Sequence, residues 1–267
     1  MNIKLLANNR IFRNKPLKLH ECTALYGLDG IEFSLNDHRM PVGKFYRELY
    51  FSRFKEFNLY SFHLPFLDVE VASRDPVWAQ ASTLMLKSYL QVLGQLTPAY
   101  LNLHVATDAY EDEADPKTAI RNIKELVKAA DDFGLTICVE NVRRGITSDP
   151  SIYREIVVES GAKATIDIGH ARGSDYVLKT KTDPMEFVRG IEDRIVTAHI
   201  YAFEDDQGHH PITEPTEVED FLAAFAANNV EYWVLEHHSE ETFVVTLEAV
   251  RSWLKGQEEK SLSEKAR

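Results

Sequence analysis

The sequence predicts a single (β/α)8 TIM barrel in the α/β class, on three observations. Eight β-rich runs recur along the 267 residues, and helix-like stretches with apolar residues three and four apart separate them. Each run is nearly continuous in apolar side chains, as strands covered by helices are. The units repeat at roughly 33-residue intervals, which at this length closes a barrel. A doubly wound open sheet is the competing architecture, but no GxGxxG follows the first run.

In chain order the runs are IKLL near residue 3, GIEFSL from 30, LYSFHLP from 59 and YLNLHVA from 100. LTICVEN from 135, KATIDIG from 163, IVTAHIYA from 195 and YWVLEHH from 232 follow. The clearest helical periodicity covers Val77 to Leu96, Lys117 to Phe133, Val218 to Ala227 and Glu241 to Leu254. Ser148, Asp149 and Pro150 cap and open a helix before Ile156, while Gly134 and Gly161 follow helix ends just before strands. The barrel is expected over residues 1–255, with 256–267 (GQEEKSLSEKAR) a polar, frayed tail.

Composition narrows the function classes. A hydrophobic fraction of 44% supplies a core, and the mean hydropathy of -0.29 is that of a water-soluble protein. No apolar run reaches the ~18 residues of a membrane span, and the N-terminus has no export-signal pattern. Cys22 and Cys138 lack CxxC spacing, so a reducing cytoplasm without disulfides is expected. The net charge of -12 disfavours nucleic acid, leaving a small-molecule substrate as the expected partner. The oligomeric state stays open, a homodimer included.

Chemistry concentrates at the strand ends, which a barrel gathers on one face. The runs finish on Glu32, His63, His104, Glu140, Asp167, His199 and Glu236, with His170, His209 and His210 close behind. A histidine near a strand end is by itself more often structural, and Glu32 is equally suited to an ordinary ion pair. Glu140, Asp167 and Glu236 differ, because each interrupts an apolar run where an uncompensated carboxylate costs several kcal/mol. Three such acids facing one another require bound cations, and His199 adds a neutral nitrogen ligand.

LNLHV, ICVENVRRG, ATIDIGHARGSDY, VTAHIYAFEDDQGHHPI and WVLEHH together resemble the strand-end motifs of the xylose isomerase-like barrel superfamily. That superfamily holds sugar isomerases and epimerases together with the endonuclease IV (AP endonuclease family 2) enzymes. The resemblance implies a metal tetrad of Glu140, Asp167, His199 and Glu236, and a substrate or further metal role for His170. It implies a second ion at His63, His104 and a bridging Glu140. The endonuclease branch completes a third site with a D-x-H pair. Here His209 and His210 put Gln207 where that aspartate belongs, leaving only Asp205 or Asp206 as shifted substitutes. Basic residues after the first strand are few (Arg10, Arg13, Lys15), so DNA itself is disfavoured.

The resemblance therefore implies one to three divalent ions, zinc or manganese, and two chemistries. The first is isomerisation or epimerisation of a sugar or sugar phosphate through an enediolate, with Glu140 and Glu236 as opposed catalytic bases. The alternative is a multinuclear zinc hydrolase of a phosphoester or related bond in a nucleotide-like or corrinoid-type cofactor. Arg143, Arg144 and Arg172 follow strand ends and can meet a phosphate, although solvated loop charge is their commoner role. Asn141 is placed to bond a ligand or orient one, and His237 and His238 to extend the pocket, only one of the two pointing inward.

Overall fold

Eight short parallel strands close on themselves in a computed structural model that describes residues 2–12, 18–36, 52, 54–105 and 114–265. The first four are β1 (Lys4–Asn8), β2 (Gly30–Ser34), β3 (Tyr60–His63) and β4 (Leu101–Leu103). Next come β5 (Ile137–Glu140), β6 (Lys163–Asp167) and β7 (Ile195–Ile200). A two-stranded hairpin, β8 (Phe203–Asp205) and β9 (Gly208–His210), stands apart before the eighth barrel strand, β10 (Tyr232–Leu235). Barrel neighbours follow chain order, and β10 returns to β1 with Lys4 opposite Tyr232. The eight runs read from the sequence are the eight barrel strands.

Three outer helices begin in the same way. Asp75, Asp115 and Asp149 accept backbone N–H bonds as N-caps of Pro76–Leu93, Pro116–Asp131 and Pro150–Ser160, each opened by proline. An Asp cap satisfies an orphan N–H, and proline at the first position loses no hydrogen bond. The last helix runs from Glu240 to Lys265, past the point where the sequence predicts fraying. Its end is built of Glu, Lys and Leu, good helix formers, and residues 258–263 are exposed. No helix among the described residues is long and apolar enough to cross a membrane.

Strand alternation divides the barrel interior into layers. The lower layer is apolar, with Leu6, Tyr100, Cys138 and Val234 forming their own cluster apart from the large core between strands and helices. Two residues further along the same strands come Asn8, Asn102, Glu140 and Glu236, all buried. The step from apolar to polar is thus made within single strands, and it places Glu140 and Glu236 at the carboxyl mouth.

Candidate metal centre

Glu140 lies at the middle of the cluster. Asn102 donates to its Oε2 and is itself fixed by Thr165, whose hydroxyl donates to Asn102 Oδ1 at 2.7 Å. The same Oε2 lies 3.3 Å from His63 Nε2 and 3.0 Å from His104 Nε2. Oε1 faces the other way, 3.1 Å from His199 Nδ1. One carboxylate therefore addresses two ligand sets.

The second set gathers around His199 Nδ1, which is 3.5 Å from Asp167 Oδ2 and 2.9 Å from Glu236 Oε2. Ligand atoms of Glu140, Asp167, His199 and Glu236 all fall within 4.8 Å of one another. Glu140 Oε1, Asp167 Oδ2 and His199 Nδ1 are buried without a hydrogen-bond partner. Buried lone pairs left facing one another cost several kcal/mol in the absence of a cation, so this donor set fits a divalent ion. Buried carboxylates and imidazoles suit zinc or manganese.

A third set joins His170, Glu204 and His209. His170 Nε2 lies 3.0 Å and His209 Nε2 3.7 Å from the Glu204 carboxylate. Sequence reasoning misses Glu204, because the family pattern directs attention to an acid two places before a histidine. The hairpin supplies the acid instead, because its antiparallel register sets Glu204 opposite His209. The tight turn that does this uses Gly208 at φ 107°, a conformation that favours glycine. The signal in the sequence is the DDQG turn between Glu204 and the histidines.

Imidazole orientation follows a common rule. Nδ1 of His63, His170 and His209 lies 2.9, 2.9 and 3.0 Å from the carbonyls of Leu64, Asn141 and Glu236. Donation from Nδ1 assigns the tautomer that leaves each Nε2 lone pair free for a metal. His199 is reversed. Its Nε2 lies 3.2 Å from Glu32 Oε1, with Tyr100 donating to the other Glu32 oxygen at 2.9 Å, and it is Nδ1 that faces the carboxylates of Glu140, Asp167 and Glu236.

Electrostatics in the metal-free protein match this crowding. Burial opposes charge on Glu140 and Glu236, yet His199 beside both holds them well below the usual carboxylate range. Burial pushes Asp167 up. Burial also opposes charge on His199 and His170, but the surrounding carboxylates raise both well above an ordinary histidine.

The other expected residues divide. A cavity of about 360 Å³ is lined by His63, His104, Glu140, His170, Glu204, His209 and Glu236, with Arg10, Arg143, Phe66, Leu67, Val142 and His238 around them. His210 pairs instead with Asp205 at 2.9 Å, and neither lines the cavity. Arg172 turns away to the Ala202 carbonyl, and Arg144 to Asp206 and Asp175. Glu32 sits beneath His199 as its partner. Asn141 clamps the Asp167 backbone through both Oδ1 and Nδ2, and His237 is turned to Thr246 while His238 reaches the cavity. Arg13 and Lys15 lie outside the described residues.

Comparison with known proteins agrees with the barrel. Residues 21–259 match the model of the xylose isomerase-like TIM barrel family. An uncharacterized protein of Methanocaldococcus jannaschii is 28% identical over 158 residues, 59% of this chain and 63% of that one. The match thus spans less than two thirds of that relative's length. Among solved structures, a D-tagatose 3-epimerase-like protein superposes with TM-score 0.76 at 18% identity, covering 97% of this chain and 100% of that one. Endonuclease IV from Thermus thermophilus superposes with TM-score 0.70 at 14% identity, covering 95% and 99%. At these identities the structural likeness establishes the fold alone.

Proposed function

We propose that this chain, which belongs to the xylose isomerase-like TIM barrel family, is a multinuclear divalent-metal hydrolase of phosphate esters in small molecules. The observation that carries this reading is Glu140, whose two oxygens face two different sets of ligand atoms. A one-ion isomerase needs only the set around His199, and the converging Nε2 atoms of His63 and His104 would then hold no ion.

Divalent ions at these positions supply Lewis-acid polarisation of a phosphoryl group and lower the pKa of water. His63, His104 and Glu140 would hold one ion, and Asp167, His199, Glu236 and Glu140 another. His170, Glu204 and His209 form the third position. Thr165 and Asn102 keep the Glu140 carboxylate turned to both sides. Glu32, 3.2 Å from His199 Nε2, lies against the edge of that ring opposite the cluster. Val142 and Phe66 add apolar surface to the cavity wall, and Arg143, held by Asp206 at 2.6 Å, places a positive charge at the rim. The cavity of about 360 Å³ and the net charge of -12 support a small substrate rather than a polynucleotide. The two buried cysteine thiols support a reducing, cytoplasmic setting.

Epimerisation or isomerisation of a sugar is the second reading. Glu140 Oε1 and Glu236 Oε2 flank one point, 3.1 and 2.9 Å from His199 Nδ1, as two opposed bases would. Elemental analysis of protein purified without added metal separates the two. Two or three ions per chain are expected, with bis-p-nitrophenyl phosphate hydrolysis lost in the His63→Ala/His104→Ala variant. One ion per chain, with solvent deuterium entering a ketose in that same variant, overturns the hydrolase.

A further inference from the structure

Arg10 lines the cavity from the segment after β1, and its surroundings differ from those of the other arginines nearby. Arg143 and Arg144 are paired with Asp206 at 2.6 and 3.0 Å, and Arg172 donates to a carbonyl. Arg10 has no acceptor for its guanidinium among the described residues. Its close contact is the face of Phe66, with Cζ 5.6 Å from the ring centroid. Phe66 in turn stacks on His104 with centroids 4.4 Å apart and planes 26° from parallel. The platform is fixed from behind, since Asn36 Oδ1 accepts the N–H groups of Phe66 and Leu67 at 2.8 and 3.2 Å.

A guanidinium seated on an aromatic face loses little entropy when it binds, and it keeps its in-plane N–H fork free. That fork matches the oxygens of a phosphate or carboxylate, and pairing the two gives the strong class of hydrogen bond. The two stacking separations put Arg10 at most about 10 Å from the His104 ring, hence within one small molecule of the first ligand set.

We propose that Arg10 binds a second anionic group of the substrate, so that the substrate carries two negative ends. The ester phosphate lies at the ligand cluster, and a terminal phosphate or carboxylate lies on the Arg10 fork. The inference rests on the hydrolase reading and adds to it the class of molecule. It explains why an arginine without a hydrogen-bond partner among the described residues is built into the wall of a cavity whose floor is acidic.

Calorimetric titration of zinc-loaded protein with pentane-1,5-bisphosphonate, 5-phosphonopentanoate and pentylphosphonate tests it. Wild type is expected to bind the bisphosphonate about tenfold or more tightly than pentylphosphonate. Arg10→Ala is expected to remove that advantage and leave pentylphosphonate affinity and zinc content unchanged, which also shows the variant folded. An advantage for 5-phosphonopentanoate of similar size identifies any terminal oxyanion as the ligand, and its absence identifies phosphate. Equal binding of mono- and bisphosphonate by wild type overturns the proposal, as does an equal loss of both in Arg10→Ala. If zinc-loaded wild type binds none of the three, the hydrolase reading itself is overturned.

Discussion

Asp167 divides its carboxylate between two tasks, Oδ1 accepting the His170 N–H at 2.7 Å while Oδ2 stays buried without a partner in the ligand cluster. The first oxygen caps the short helix Ile168–Gly173, and the second belongs to the proposed metal-ligand set. Asp167→Asn keeps the cap, because asparagine caps as well as aspartate. It also removes a buried negative charge from a crowded site. The metal-free variant is expected to melt at or above the wild-type temperature, while zinc affinity at the second position falls on the order of 100-fold or more, beyond the loss of an outer partner. Calorimetric melting with and without chelator, beside metal analysis, checks both halves.

The third ligand set depends on how closely the hairpin approaches the barrel. A Cβ added at Gly173 would lie 2.4 Å from the Glu204 carbonyl oxygen, a backbone atom that cannot rotate away. Gly173→Ala is expected to push the hairpin outward and to lower zinc content by about one ion per chain, sparing the sets around Glu140. Loss of all bound zinc would contradict this.

Asp115 caps its helix through Thr118, and the bond to that backbone N–H lowers the Asp115 pKa. A carboxyl whose folded pKa is depressed adds stability above its unfolded value, and that stability vanishes as pH falls through the folded value. Asp115→Ala is expected to cost about 1 kcal/mol near neutral pH. The gap between wild type and variant should hold down to about pH 4 and close below it. Urea titrations across that range measure it.

Cys22 and Cys138 are both buried, and burial pushes the Cys22 thiol up to about 12 and that of Cys138 higher still. Only the thiolate reacts, so native protein is expected to leave a disulfide reagent unconsumed, with two equivalents released on denaturation. Rapid reaction of one native thiol would show that its segment opens.

The strand ends are legible in the sequence because each apolar run stops at a residue that an apolar core does not tolerate uncompensated. Glu140, Asp167 and Glu236 stand out on that ground alone, and the barrel brings them to one point. Partner choice is less legible. Glu32 lies in the middle of its strand and Asp167 at the end of its own, and one carboxylate lies beside an imidazole while the other faces the cluster, a difference set by cross-strand register. Asp167 sits opposite His199 on neighbouring strands, whereas Glu32 reaches His199 across the interior. Glu204 escapes notice because hairpin pairing, not spacing along the chain, brings it to His209. His210, its neighbour, points to the other face of that hairpin and to Asp205.

Because β1 pairs with β10, the barrel is shut by its first and last strands. Glu236, directly after the final strand, therefore joins the other donors only when the seam is sealed. A nascent polypeptide still lacking Tyr232–Leu235 holds the first trio of donors on adjoining strands but an incomplete second set. Sealing the β1–β10 seam is thus also the step that completes the second donor set.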